Sequence, residues 1–186
     1  MRIACLAWGS LLWKTGPLRL ASNWKDDGPC LPIEFARVGD KGELSTVILE
    51  GRASQRTWWA LVDAVDVTVA REMLRRREQI AADKPEWLGS LPSIATAPGS
   101  HPCVSAIDEW RTDNGLDAVV WTALPPRHAG EEGRTPTTDE AVDYLDGLTG
   151  DTRDHAEDYV RRIPPSLTTA CRTAIERRLG WTPYDG

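Results

Sequence analysis

The chain is poor in several residue types that site chemistry commonly uses. It has one Phe, two Met, three His and four Cys. The cysteines stand at Cys5, Cys30, Cys103 and Cys171, so no two form a Cys-x-x-Cys pair. With so few histidines as well, a structural zinc site is not expected, and the thiols read as reduced and mostly buried. Basic charge is also short: 22 Lys and Arg against 28 Asp and Glu give a net charge of -6. That balance provides no electrostatic reason to bind nucleic acid or an anionic membrane. Long apolar runs are missing too. The run from Ile3 to Trp13 is broken by Gly9 and Ser10 and stops at Lys14. It falls short of the roughly 20 residues that cross a bilayer. Only Arg2 precedes it as a basic residue and no small-residue cleavage site follows, so a cytoplasmic protein is expected.

What remains is ordinary for a folded chain. Its 186 residues, 41% hydrophobic and 27% charged, suit a single domain over 1–186. A domain of this size buries about 70% of its unfolded surface and folds without staples. The aromatic content is unusual: nine Trp against three Tyr and one Phe. Most of these indoles read as core, and Trp8 and Trp13, which flank the first glycine, are the two that a ligand could meet.

Apolar continuity predicts strands at Arg2–Trp8, Leu31–Val38, Leu44–Leu49, Thr57–Val62 and Ala118–Ala123. The Gly39-Asp40-Lys41-Gly42 turn joins the second and third into a hairpin. Helical spacing of Val67, Ala70, Leu74 and Ala81 predicts a helix over Val67–Ala82, capped by Asp66 or Thr68. Its Leu74 face should pack on the sheet. Lys84–Ser105, with four prolines, reads as irregular. A helical segment over 137–180 follows. Its first helix opens on the capping box Thr137–Glu140, its second runs from about Thr152 to Ile163, and its third is capped by Ser166. Strands first and helices last suggest an α+β fold.

Two motifs carry candidate chemistry. Trp8-Gly9-Ser10-Leu11 ends the first strand. Successive amides in such a turn can hold a carboxylate or an oxyanion, and a plain tight turn has the same sequence. Glu78, in Arg76-Arg77-Glu78-Gln79, borders the apolar face of the first helix. A carboxylate there loses hydration, so its pKa rises toward that of a general base; the alternative is a Glu paired with Arg75 or Arg77.

Taken together, these motifs resemble the gamma-glutamylcyclotransferase superfamily, which includes the ChaC-type enzymes. That family carries a Tyr-Gly-Ser-Leu type loop after its first strand, where this chain has Trp8-Gly9-Ser10-Leu11. It carries a catalytic Glu in a Tyr-Arg-Glu type motif, where this chain has Arg76-Arg77-Glu78. The resemblance covers residues 2–80. It implies a curved mixed sheet or partial barrel of about five to seven strands with flanking helices. It implies cyclisation of a γ-glutamyl small molecule to 5-oxoproline, with Glu78 as general acid/base, Trp8, Gly9, Ser10 and Leu11 at the substrate, and no metal or cofactor. Arg37 is a candidate partner for a substrate carboxylate or an exposed edge-strand residue. Trp8 departs from the family's Tyr, because an indole donates a hydrogen bond but accepts none. The competing reading is a noncatalytic small-molecule-binding or interaction module on the same fold: the retained Glu78 argues for the enzyme, and Trp8 for the module.

Overall fold

A computed structural model describes residues 1–92 and 101–184. In chain order the strands and helices are β1 (Ile3–Ala7), β2 (Cys30–Leu31), β3 (Ile33–Val38), β4 (Leu44–Ile48), β5 (Gln55–Arg56), β6 (Trp58–Leu61), α1 (Val67–Arg77), β7 (Leu88–Leu91), α2 (Val104–Asp113), β8 (Ala118–Thr122), β9 (Arg127–His128), β10 (Glu131–Glu132), α3 (Thr138–Asp146), α4 (Gly150–Arg162) and α5 (Ala170–Leu179). The class is α+β. Instead of one curved sheet, the described strands form two four-stranded sheets and a two-stranded ladder, with no closed barrel. The chain divides into two compact units, Met1–Leu31 with Arg56–Leu124, and Pro32–Gln55 with Pro125–Gly186.

The first unit is built on β1. Its residues Ile-Ala-Cys-Leu-Ala are all buried, which a central strand covered on both faces requires. The sheet order is β6-β1-β8-β7. β1 runs antiparallel to β6, with Ala4 opposite Leu61, and parallel to β8, with Ile3 opposite Ala118. Side chains alternate across a strand, so Ile3, Cys5 and Ala7 share one face. They pack with Ala118, Val120, Leu88, Leu11 and the Ala70–Leu74 stripe of α1. α1 thus lays its Leu74 face on this sheet, mainly over β8 and β7.

The irregular excursion expected over Lys84–Ser105 contains β7 and the start of α2, while its residues 93–100 lie outside the described ones. β7 has only four residues, Leu-Gly-Ser-Leu, too few to display a pattern. It is an edge strand, where nearby prolines are tolerated. Its fit depends on Gly89, which pairs with Trp121 of β8. A Cβ on Gly89 would lie 1.9 Å from the Trp121 ring. α2 buries only Ile107, so it shows no apolar stripe to read.

The second unit has the sheet order β10-β9-β3-β4. β3 and β4 form the expected hairpin, turned through Gly39–Gly42, with Gly42 at φ +85. Pro32, without an amide hydrogen, separates β2 from β3, so the expected single strand is two. α4 covers β4, and α5 covers β3. The Thr137–Glu140 capping box forms at the start of α3. α5 begins later than expected: Thr169, not Ser166, accepts the capping bond, because Leu167 is held in a turn bonded to Pro164 and buried.

All four cysteines are free; Cys5 and Cys171 are buried and Cys30 is exposed. Of the nine tryptophans, Trp8, Trp59, Trp121 and Trp181 are buried and the other five are half-buried. No helix among the described residues is long and apolar enough to cross a membrane.

Gly89→Ala should destabilise the fold by about 1–3 kcal/mol, the usual cost of forcing a methyl into a packed site. Urea unfolding checks this; an unchanged midpoint would show that the Trp121 ring moves aside freely.

Candidate functional site

The cluster around Glu78 is assembled inside the first unit. α1 starts at Asp66, whose carboxylate accepts from the Val69 amide at 2.8 Å. It does not run to Ala82. Arg77 is its last helical residue and Glu78 is its C-cap. Gln79 adopts φ 55, in the left-handed region. The Ile80 amide then bonds Arg75 O at 3.0 Å, and the Gln79 amide bonds Arg76 O at 3.3 Å. This is a Schellman stop, normally built on glycine. Ile80 folds back into the core beside Leu74, which is the hydrophobic contact that accompanies such stops. Ala81 is left outside the helix and exposed, although its spacing continues the stripe.

The last turn of α1 carries Arg75, Arg76 and Arg77, cations at the favourable end of the helix dipole. Their partners separate them. Arg75 and Arg76 both bond Glu72, one turn back on the same helix. Those bonds hold the Glu72 carboxyl down to about 2. Arg77 has no share in Glu72 and reaches the other way. Its Nε and Nη2 donate to Lys14 O at 2.9 and 2.7 Å, its Nη2 also donates to Ser10 Oγ at 2.9 Å, and its Nη1 donates to Glu78 Oε1 at 2.9 Å. One planar guanidinium therefore joins the carboxylate to the hydroxyl, which puts them at most about 8 Å apart. The side chains of Arg77 and Glu78 are only 9% and 14% exposed.

The loop on the other side of the fork leaves β1 at Trp8, which is buried, as is Leu11. Ser10–Leu12 makes one 3-10 turn with Gly9 as its N-cap. The turn's own hydrogen bonds begin at the Leu12, Trp13 and Lys14 amides. The Gly9, Ser10 and Leu11 amides precede the first of them, as the opening donors of any helical turn do. Leu11 commits its side chain to the core, which leaves its backbone as the part that can meet a ligand at the turn.

Burial raises the Glu78 carboxyl above its ordinary 4.5, while the charge and hydrogen bond of Arg77 pull it back. The C-terminal end of α1 is also the unfavourable end of a helix dipole for an anion. Beneath, Cys5 is fully buried, and burial with the nearby Glu78 charge pushes its thiol up, so it stays protonated. A protonated, buried thiol is a poor nucleophile, which sets Cys5 aside as a reacting group.

Arg37 is neither exposed nor at an edge. It lies on β3 in the second unit, with a side chain 10% exposed. Its fork is closed on Glu132 at 2.6 and 3.0 Å, and on Pro125 O at 2.9 Å. Glu132 follows it by 95 residues, a separation at which sequence spacing gives no signal. Among the described residues, no group of three or more His, Cys, Asp or Glu is placed to hold a metal ion.

The helix stop and its carboxylate can each be probed by one substitution. Gln79→Gly should stabilise the protein by about 1 kcal/mol in urea unfolding, since it relieves a left-handed non-glycine residue at the stop. A loss of stability would show that the Gln79 side chain contributes more than the strain costs. The second substitution is Glu78→Gln. A carboxyl whose pKa is raised on folding binds more protons in the native state, so its stabilising share is full below the unfolded value of 4.5 and is lost as pH rises through the folded pKa. The stability of Glu78→Gln relative to wild type should therefore rise as pH climbs from the unfolded value of 4.5 through the folded pKa above it. The rise should be about 1.4 kcal/mol for each tenfold weakening of the acid on folding. A difference that falls with pH would mean that Arg77 outweighs burial.

Compared with protein-family profiles and with curated proteins, the chain matches none.

Proposed function

We propose that this chain is a gamma-glutamylcyclotransferase-type enzyme that converts a γ-glutamyl amine or peptide to 5-oxoproline and a free amine. The observation that carries this reading is the largely buried Glu78 carboxylate, joined through Arg77 to the Gly9–Leu11 turn. The residue order that resembles the family, loop after the first strand and Glu after the first long helix, supports it.

In this reaction the substrate's α-amine attacks its own γ-carbonyl. The two reactants belong to one molecule, so holding the chain folded supplies much of the rate. The α-ammonium first gives a proton to Glu78, whose pKa burial raises, the direction that makes a carboxylate a stronger base. The amine nitrogen then bonds to the carbonyl carbon, and the negative charge moves to the carbonyl oxygen. The Gly9, Ser10 and Leu11 amides are the donors for that oxyanion. As the carbon–nitrogen bond to the leaving amine breaks, Glu78 returns its proton to that nitrogen. The new ring nitrogen, which still carries two hydrogens, gives up its second proton through the freed carboxylate, and the amine departs as an ammonium. Trp8, buried at the root of the turn, fixes the backbone and offers no hydroxyl. None of these steps calls on a cofactor.

Glu78→Gln should lower turnover by about 10²–10⁴-fold, the usual contribution of a general base, with a much smaller change in substrate binding. Wild-type turnover should decline as pH falls through the raised Glu78 pKa, because the carboxylate is the active form. The check is mass-spectrometric detection of 5-oxoproline across a panel of γ-glutamyl amines and dipeptides. Near wild-type release by Glu78→Gln would sink the mechanism. Binding of these compounds without turnover by the wild type would favour the noncatalytic binding module, the reading to which the missing hydroxyl at Trp8 points.

A further inference from the structure

We propose that Arg77 is the positioning residue of this site: anchored on the Lys14 carbonyl, its guanidinium fixes the Glu78 carboxyl and the Ser10 hydroxyl in one geometry and sets its positive charge against that carboxyl. The inference rests on the cyclotransferase reading for what the carboxylate does, and on the structure for how it is held.

Three features set Arg77 apart from its neighbours. Two of its donors, Nε and Nη2, converge on Lys14 O, so the planar group is fixed before it meets any acid. It has an acid of its own, because Glu72 is taken by Arg75 and Arg76. It is also the most buried of the three: the Arg75 and Arg76 side chains are 30% and 67% exposed, against 9% for Arg77. An exposed ion pair is worth little, but a desolvated one with several hydrogen bonds constrains both partners. Lysine could not replace it, since a single ammonium cannot span a carbonyl, a hydroxyl and a carboxylate lying in different directions.

The charged and titratable groups around Glu78 are few. Arg77 faces it from α1, and the protonated Cys5 thiol from β1. β7 and β8, which α1 covers, carry no titratable side chain. The balance at Glu78 is thus set by burial on one side and Arg77 on the other.

The test reads the carboxylate directly. The Glu78 side-chain carboxyl carbon is followed by NMR through a pH titration in ¹³C-labelled protein, its resonance assigned by its disappearance in Glu78→Gln. Arg77→Met should move the midpoint upward by about 1–3 pH units, the usual effect of an adjacent opposite charge. Arg77→Lys should fall between wild type and Arg77→Met, and it carries the test alone if the methionine variant fails to fold. The acid limb of the 5-oxoproline rate profile should move with the titration, while KM changes less than kcat. A wild-type midpoint in either folded variant overturns the proposal. The titration does not depend on turnover. A shifted midpoint in a protein that never forms 5-oxoproline would therefore leave the role of Arg77 standing and remove the cyclotransferase reading.

Discussion

One guanidinium holds the candidate site together. Glu78 sits where a helix ends and Ser10 where a loop begins, and neither backbone places the two side chains in register unaided. The Arg77 fork does so by resting on the Lys14 carbonyl and extending one donor to the hydroxyl and another to the carboxylate. The arrangement is sheltered, with both charged side chains mostly out of water. Removing either member of such a pair leaves the other charge buried without its counter-ion, which is far costlier than losing a surface ion pair.

The fork depends in turn on where α1 stops. Had the helix continued to Ala82, Glu78 would have remained in its hydrogen-bonded interior. The left-handed turn at Gln79 ends it, sends Ile80 back onto Leu74 and leaves Glu78 as the cap. A core contact and a strained dihedral thus place the candidate carboxylate, and the strain sits beside the site without being caused by any chemistry there.

Strands were legible in the sequence where apolar residues dominate a short run, because β1, β3, β4 and β8 are mostly buried and β6 buries Trp59 and Ala60 at its centre. β5, β9 and β10 have two residues each and display no period at all. The overshoot of α1 has a physical cause: Ala81 keeps the helical spacing, and nothing about a glutamine announces a positive φ. Glu78 and the Gly9–Ser10 loop could be singled out by residue type and position. The pairing of Glu78 with either Arg75 or Arg77 was one reading of the sequence, and the structure pairs it with Arg77. The reach of Arg77 on to Ser10 was not legible, yet a signal for the choice of arginine was present. Glu72 lies three and four residues before Arg75 and Arg76, so the third arginine was the one without an acid on its own helix. The exposed edge-strand reading of Arg37 failed because the partner that buries it, Glu132, lies on a strand pair 95 residues further along the chain.

Each compact unit is made of two stretches of chain separated by a stretch of the other. During synthesis β1 is laid down early, but its parallel neighbour β8 follows only after the β3–β4 hairpin has been made. That hairpin in turn waits for α4 and α5 to cover it. Neither unit can be cut out as one continuous segment, and closing each requires long loops, whose entropy must be met before the distant contacts form. A nascent chain released at Leu124 would hold every strand of the first sheet while leaving the β3–β4 hairpin without its helices. The interleaving therefore makes the C-terminal helices a condition for shielding a hairpin encoded near the beginning of the chain.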